Sequence, residues 1–195
     1  MLQNKNINNF KFSHLENFNI SQIKNFVLEM SDEWLLDISR QTGGEMYKDT
    51  YSYMIQRVAL DWTIGKSFIK IPRSYEHSVK DLVMTIVDVL ENSLNGTAGQ
   101  IFLTKIPKGK SVPDHTHYGE YLNLVSRHYI SIVTSDKAKI FVDGESIHIL
   151  DGECWDINNN YTNSFCNMDG DIDQVYLVID IMPNKFFRFK KEWIG

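Results

Sequence analysis

The chain has 195 residues, of which 43% are hydrophobic and 23% charged, a balance typical of one globular domain large enough to bury a core. Its net charge of −5 and its scattered basic residues argue against a nucleic-acid-binding protein, and no apolar stretch is long enough to cross a membrane. Two cysteines, Cys154 and Cys166, are too few for a disulfide framework and lack zinc-finger spacing, so we expect free thiols in a cytoplasmic protein.

In the first part of the chain, some segments show a clear hydrophobic period and others do not. Residues 1–20 show no strong period, and we expect a loosely docked arm there. Residues 21–40 place apolar side chains near helical spacing and predict a helix with Ser21 as its N-cap. Residues 52–64 are ambiguous between strand and helix, whereas residues 67–72 predict a short strand.

A second amphipathic helix is predicted over residues 74–96, where Asn95 and Gly96 end it. Its apolar stripe consists of Val79, Leu82, Val83, Ile86, Val87 and Leu90. After Gly96 the hydrophobic period changes from helical spacing to alternation, and short β-rich runs are separated by turn residues, including an Asp143-Gly144 hairpin. That rhythm favours an antiparallel sandwich, jelly roll or barrel.

Two histidines, His115 and His117, lie one residue apart within residues 111–125. A strand would present both imidazoles on the same face, which is the geometry that a metal site needs. Two partly exposed histidines that line a polar pocket would show the same pattern. Glu120 could complete a His-His-Glu set, but its odd offset from His117 points it to the other face of a continuing strand.

The histidine pair is similar to the opening of the cupin motif. Gly109 is followed by five residues and then by His115 and His117, as in that family. Glu120 comes one residue earlier than the cupin glutamate, and the second half of the motif, with its own histidine, is missing. The resemblance to cupins is therefore partial.

Three runs in the second half of the chain match another family over a longer span. They read GQIFLTKIPKGKSVPDHTHYGEY, SRHYISIVTSDKAKIFVDGE and HILDGECWDINNNYTNSFCNMDGDIDQVYLVIDIMP. In order and spacing, residues 97–182 resemble the aspartyl/asparaginyl β-hydroxylase-like group of Fe(II)/2-oxoglutarate oxygenases. The resemblance implies a mainly β protein with N-terminal helices, built on a double-stranded β-helix (a jelly roll or cupin-like barrel). We expect a single domain over residues 1–195, with a helical layer and the first strands in 1–96 and the jelly-roll core in 97–185.

The resemblance also implies metal ligands, with two departures from the family pattern. His115 falls on the first iron-binding histidine, and His117 falls where the family usually has aspartate. Asn163 falls on the distal histidine. The usual site holds ferrous iron with two histidines and a carboxylate, whereas these three side chains supply no anionic ligand. We therefore expect weak metal binding, which Asn163→His should strengthen.

The residues implied to bind 2-oxoglutarate depart from the family as well. Gln174 replaces the arginine that would hold the oxoglutarate carboxylate, and an amide cannot form the charge-assisted fork of an arginine. Arg127 matches the arginine of the Arg-x-His strand, whose histidine is replaced by Tyr129. We expect Arg127 and Gln174 to face the organic ligand, with Lys105 as a substitute anion anchor.

The leading hypothesis is an Fe(II)/2-oxoglutarate-type dioxygenase that hydroxylates a small-molecule or peptidyl substrate at a degenerate site. Two alternatives stay open: a jelly-roll barrel that binds a small ligand or a protein without turnover, and a cupin-like metalloenzyme without a ketoacid cosubstrate. His128 and His148 are expected to be structural, and Trp155 to be a core aromatic. The basic segment 185–193 is expected to be a solvated end of the chain.

Overall fold

The computed structural model describes residues 10–35, 38, 42, 44–61, 67–72 and 77–184. The α-helices and β-strands of these ranges follow one another as β1 (Phe12–Asn17), α1 (Ser21–Glu29), β2 (Tyr51–Asp61), β3 (Ser67–Pro72), α2 (His77–Leu94), β4 (Gly96–Ile106), β5 (Lys110–His115), β6 (Ser126–Val133), β7 (Lys139–Val142), β8 (Glu145–Ile147), β9 (Glu153–Ile157), β10 (Asn163–Asn167) and β11 (Gln174–Pro183). Two short 3-10 helices, Asp32–Leu35 and Glu45–Tyr47, precede β2. The basic segment 185–193 lies outside the described residues.

The strands form two antiparallel sheets that face each other. The large sheet has the order β1-β9-β6-β11-β4-β2-β3, and the small sheet has the order β5-β10-β7-β8. Buried side chains of both sheets meet in one hydrophobic cluster, for example Phe102 and Val178 with Val112 and Phe165. This arrangement is a jelly-roll barrel, and the predicted mainly β fold class is confirmed.

The helices cover the outer face of the large sheet. Val27 of α1 and Val83 and Leu90 of α2 join Leu103 and Ile130 of the sheet in a second hydrophobic cluster. Side chains of the large sheet alternate between the helical face and the barrel interior, because successive side chains of a strand point in opposite directions. Both helices precede Gly96, as predicted, and no described helix is long and apolar enough to span a membrane.

The N-terminal predictions need two corrections. Residues 12–17 belong to an edge strand, because β1 pairs with β9 from Phe12 opposite Ile157 onward. Strand β1 is short and polar, so alternation alone gave little signal there. The N-cap prediction is also wrong, because Ser21 is the first helical residue and the Asn19 carboxamide oxygen accepts hydrogen bonds from its backbone N–H (3.1 Å) and hydroxyl (2.9 Å).

The remaining local predictions concern the ends of the helices, the type of the ambiguous segment and the hairpin turn. Helix α1 ends at Glu29, earlier than the pattern suggested, because Met30 is extended. The ambiguous segment forms strand β2, and the second predicted helix forms α2 with Asn95 in the left-handed region at its end (φ 46°). Asp143 (φ 47°) and Gly144 (φ 81°) form the predicted hairpin turn between β7 and β8.

Candidate functional site

An irregularity in strand β5 aims His115 into the barrel. On the neighbouring strand β10, Asn163 pairs with His115 and Phe165 pairs with Val112, so three steps along β5 match two along β10. Such a β-bulge inserts one extra residue and reorients the side chains around it. As a result Val112 and His115 are both buried, while the residues between them are exposed.

His115 and His117 lie next to each other at the wall of one chamber. Their ring centroids are 4.9 Å apart, and the rings are nearly perpendicular. Two imidazoles bound to one metal ion at about 2.1 Å would place their centroids roughly 4.6–5.3 Å apart. The His115 Nδ1 donates a hydrogen bond to the Pro113 carbonyl oxygen (2.9 Å), which leaves the Nε2 lone pair as the ligand atom of the neutral ring. Metal-binding histidines typically carry such a hydrogen bond on the second nitrogen.

Asn163 pairs with His115 from the adjacent strand β10. It is 1% exposed, and it alternates on β10 with Phe165 so that both face the interior. Its Nδ2 donates to the Tyr161 carbonyl oxygen (3.3 Å), but its buried Oδ1 accepts no hydrogen bond from any described residue. An unsatisfied buried oxygen costs about 1–3 kcal/mol, and a cation would satisfy it. The donor set therefore fits a divalent transition metal, although it lacks an anionic ligand.

The histidines stand between two cavities. The inner chamber has a volume of about 20 Å³ and is lined by Tyr47, Phe102, Thr104, Ile106, Val112, His115, His117, Tyr129, Phe165 and Val178. An open cleft of about 590 Å³ lies on its outer side and is also lined by Tyr47, Phe102 and His117. His117 thus faces both cavities, and an organic molecule in the cleft would lie against it.

Neither Glu120 nor Asp114, the carboxylates close to the histidine pair in sequence, forms a metal-binding group with it. Within the described residues, no three His, Cys, Asp or Glu side chains converge on one point. Glu120 lies in the turn after β5, because the strand ends at His115, and it lines the open cleft together with His117. Asp114 is exposed on the outer face of the small sheet.

Arg127 lines the cleft, but its charge is matched within the protein. Its Nε and one terminal nitrogen donate to the two carboxylate oxygens of Asp180 at 2.7 and 2.9 Å, and both side chains are buried. The prediction that Arg127 needs an anionic partner is met by Asp180 rather than by a bound ligand. An aspartate inside the apolar run of β11 was the sequence signal for this pair, since a buried carboxylate requires a partner.

Tyr121 ties the loop after β5 to this ion pair. Its hydroxyl accepts a hydrogen bond from the Gln100 backbone N–H (2.7 Å) and donates one to Asp180. Burial, followed by the Asp180 charge, raises the pKa of Tyr121 well above its usual value. Gly99 permits this contact, because a Cβ there would overlap the tyrosine hydroxyl. Sequence reasoning missed Tyr121 and Gly99, since neither belongs to a recognisable motif.

Gln174 is the first residue of β11, opposite Ile106 of β4, and lines neither cavity. Its Oε1 accepts hydrogen bonds from the Ser135 backbone N–H (3.0 Å) and the Thr134 hydroxyl (3.1 Å), and its Nε2 donates to the Ser131 hydroxyl (3.3 Å). At 1% exposure, both polar atoms of this amide have hydrogen-bond partners within the protein. The structure therefore corrects the expectation that Gln174 faces an organic ligand.

Lys105 lies on the wrong face of the sheet to act as an anion anchor for the barrel. On β4, Phe102, Thr104 and Ile106 face the interior, so Lys105 points to the helical side. Its ammonium lies 4.7 Å from the ring centre of Trp34 and 4.9 Å from that of Tyr51. This expectation from the sequence was wrong because residues 101–106 of β4 alternate between the two faces and Lys105 falls on the helical one.

The remaining single residues have structural environments. The His128 Nε2 lies 3.0 Å from the Ser126 hydroxyl, and the His148 Nδ1 donates to the Ala138 carbonyl oxygen at 2.7 Å. Trp155 packs against the barrel cluster, as predicted for a core aromatic. Tyr47, which sequence reasoning did not select, contacts the His115 ring edge-on with 5.7 Å between centroids.

The jelly roll with a histidine pair at its mouth defines the class: an oxygenase-type barrel with a candidate metal centre. A sequence model of aspartyl/asparaginyl β-hydroxylases matches residues 73–183, which is more than half of the chain. The chain therefore belongs to the aspartyl/asparaginyl β-hydroxylase family, and the resemblance seen in the sequence is confirmed. A search of curated protein sequences found no match.

Solved structures agree on the fold. An oxidoreductase of the 2OG-Fe(II) oxygenase family from Burkholderia pseudomallei is 10% identical, with a TM-score of 0.54 over 72% of this chain and 71% of its own. A prolyl-4-hydroxylase from Pseudomonas putida is 7% identical, with a TM-score of 0.54 over 93% and 95%. A non-heme monooxygenase in complex with nickel is 14% identical, with a TM-score of 0.53 over 88% and 73%. At these identities the similarity concerns the fold alone.

Proposed function

We propose that this chain is a metal-dependent, hydroxylase-type oxygenase in which His115 and His117 bind a divalent iron ion and Asn163 occupies the third position. One observation carries the proposal. The His115 and His117 imidazoles are 4.9 Å apart, and Asn163, the β10 partner of His115 in the sheet, has a buried carboxamide oxygen without a hydrogen-bond donor among the described residues.

The bound metal would supply the activation of oxygen, as the family implies. Other residues of the chain orient and shield the His115 ring. The Pro113 carbonyl fixes the His115 ring through Nδ1, and Phe165 stacks on that ring with 6.3 Å between centroids. Since two imidazoles and an amide carry no negative charge, the site binds a cation less strongly than one with a carboxylate ligand.

We propose that the substrate, a small molecule or a peptide, binds in the open cleft beside His117. The cleft is lined mainly by aromatic and apolar side chains with a few polar groups, which is typical of a substrate site. Gln100 points into it from β4, and its side-chain amide has no hydrogen-bond partner within the described ranges. That amide would accept and donate to a substrate amide or carboxyl group.

A second candidate function is ligand binding without turnover. It is favoured by the contacts of Gln174 and Arg127, the two residues that the family pattern places against oxoglutarate. Gln174 is saturated by Ser131, Thr134 and Ser135, and Arg127 is neutralised by Asp180. The residues at these two positions therefore do not fit oxoglutarate.

Cobalt(II) titration of the full chain under anaerobic conditions tests the metal site. We expect His115→Ala and His117→Ala to weaken cobalt binding at least tenfold, because each removes one of only two nitrogen ligands (~1.4 kcal/mol or more). His14→Ala is the matched control, since His14 lies on edge strand β1 and bonds to Asn17. Equal binding by all four proteins would contradict the proposal.

Succinate formation with Fe(II) and 2-oxoglutarate then separates the two candidate functions. Metal binding without succinate, at any oxoglutarate concentration, supports ligand binding without this form of turnover. Succinate production that is lost in His115→Ala supports the oxygenase.

A further inference from the structure

Three aromatic rings fill the centre of the barrel. Tyr129 of β6, Phe165 of β10 and Tyr176 of β11 form a triangle whose ring centroids are 5.2, 5.9 and 6.0 Å apart. We call these three residues the aromatic cluster. All three are buried, and burial is the main cause that raises the pKa of Tyr176 far above its usual value.

The aromatic cluster separates the histidines from Gln174. On β11, Gln174 lies one step beyond Tyr176 on the inward face, and on β6 its partner Ser131 lies one step beyond Tyr129. On the other side of the cluster, Phe165 stacks against His115. Ile106, the β4 partner of Gln174, also lines the inner chamber, so a ligand that reached from the histidines to position 174 would have to fit between these rings and β4.

The remaining space is small. The inner chamber measures about 20 Å³, whereas a cavity needs roughly 10–15 Å³ to hold a single water molecule. A five-carbon dicarboxylate has ten non-hydrogen atoms and does not fit. The chamber also lacks a cation, because within the described part of the chain its lining includes neither a lysine nor an arginine.

We infer that the aromatic cluster closes the inner chamber, between the histidines and Gln174, to 2-oxoglutarate, so that this chamber admits only a ligand the size of water. The inference depends on the proposed function for the location of the site, but it does not require that a metal be bound. Gln174→Arg alone does not restore oxoglutarate binding, because the cation would still lie behind the cluster and among the hydrogen bonds of Ser131, Thr134 and Ser135.

Isothermal titration of the full chain with 2-oxoglutarate, with and without cobalt(II), tests the inference. The natural chain, Gln174→Arg and Tyr176→Ala should each bind more weakly than about 1 mM. Tyr176→Ala combined with Gln174→Arg opens the space and adds the cation, so it should bind at least about tenfold more tightly than either single variant. Circular dichroism and thermal melting confirm that each variant is folded, and Phe165→Leu with Gln174→Arg replaces the pair if Tyr176→Ala does not fold.

Three outcomes would overturn the inference. They are binding of oxoglutarate by the natural chain at tens of micromolar, full restoration by Gln174→Arg alone, and no gain in a folded double variant. The cobalt titration of the same samples distinguishes this failure from that of the proposed function. A chain that binds neither cobalt nor oxoglutarate refutes the metal site but agrees with the closed barrel, whereas a chain that binds oxoglutarate refutes the closed barrel alone.

Discussion

The two faces of strand β11 differ sharply although they share one backbone. Val175, Leu177 and Ile179 point toward the helices and join an almost entirely apolar cluster. On the other face, Tyr176 and Asp180 point into the barrel, where each polar atom needs a partner. One face therefore contributes stability through burial alone, whereas the other combines burial with hydrogen bonds and charge. The comparison shows where substitutions should affect stability and where they should affect binding.

The largest effect is expected on the inward face, at the buried ion pair. Asp180→Ala leaves the Arg127 guanidinium buried without its carboxylate, and breaking such a pair lowers the free energy of unfolding by about 3–5 kcal/mol. Urea denaturation measures this loss. Arg127→Met combined with Asp180→Leu should recover most of it, because no charge then remains buried. A double variant as unstable as Asp180→Ala would show that the pair itself, and not the unpaired charge, determines stability.

On the helical face, Leu177→Ala should lower the free energy of unfolding by about 3 kcal/mol, because it opens a cavity at a fully buried position. The same urea experiment applies. Leu28→Ala is the matched control, since Leu28 on α1 is 64% exposed and should lose under about 0.5 kcal/mol. Similar losses for the two variants would contradict the placement of Leu177 in the packed interface between sheet and helices and of Leu28 on the exposed surface of α1.

A smaller effect is expected for metal affinity at Asn163. Replacing its neutral amide with an imidazole should raise cobalt(II) affinity by about tenfold, which corresponds to ~1.4 kcal/mol, because nitrogen is the better ligand. Asn163→Ala should lower the affinity. Asn167→His serves as the control, since the Asn167 amide donates to the carbonyls of Ile106 and Ile172 and lies away from the histidines along β10. Unchanged affinity in both Asn163 variants would exclude this residue from the site.

The smallest effect is expected for Lys105, the charged residue on the helical face. Lys105→Met should change stability at pH 7 by less than about 1 kcal/mol, because the lost cation–π contacts are offset by relief of a partly desolvated charge. Burial lowers the pKa of Lys105, and the Asp173 charge opposes this shift. The unfolded chain therefore holds the proton more tightly, so the stability of the natural protein should rise as the pH approaches 10.5. Denaturation at pH 7 and pH 10 should show this rise in the free energy of unfolding for the natural protein and not for Lys105→Met.

The sequence predicted most of the barrel because its strands alternate regularly. The switch in period at Gly96, the Asp143-Gly144 turn and the helix ending at Asn95 are local signals, and the backbone follows each of them. The edge strand β1 had no such signal. Its polar residues are held by pairing with β9, a contact between segments about 140 residues apart in the chain.

For the candidate site, the sequence by itself determined the ligand types and the position of the histidine pair. His115 and His117 could be selected because residues two apart share a face of a predicted strand, although β5 ends at His115 and His117 follows it. Asn163 could be selected because a family pattern placed it there. Only the tertiary structure decided which charges and spaces those residues meet. Arg127 pairs with Asp180 on the neighbouring strand, and Gln174 makes three hydrogen bonds within the protein. The aromatic cluster lies between the histidines and Gln174. The physical reason is that pairing, alternation and packing between distant strands fix distances that no spacing along the chain contains.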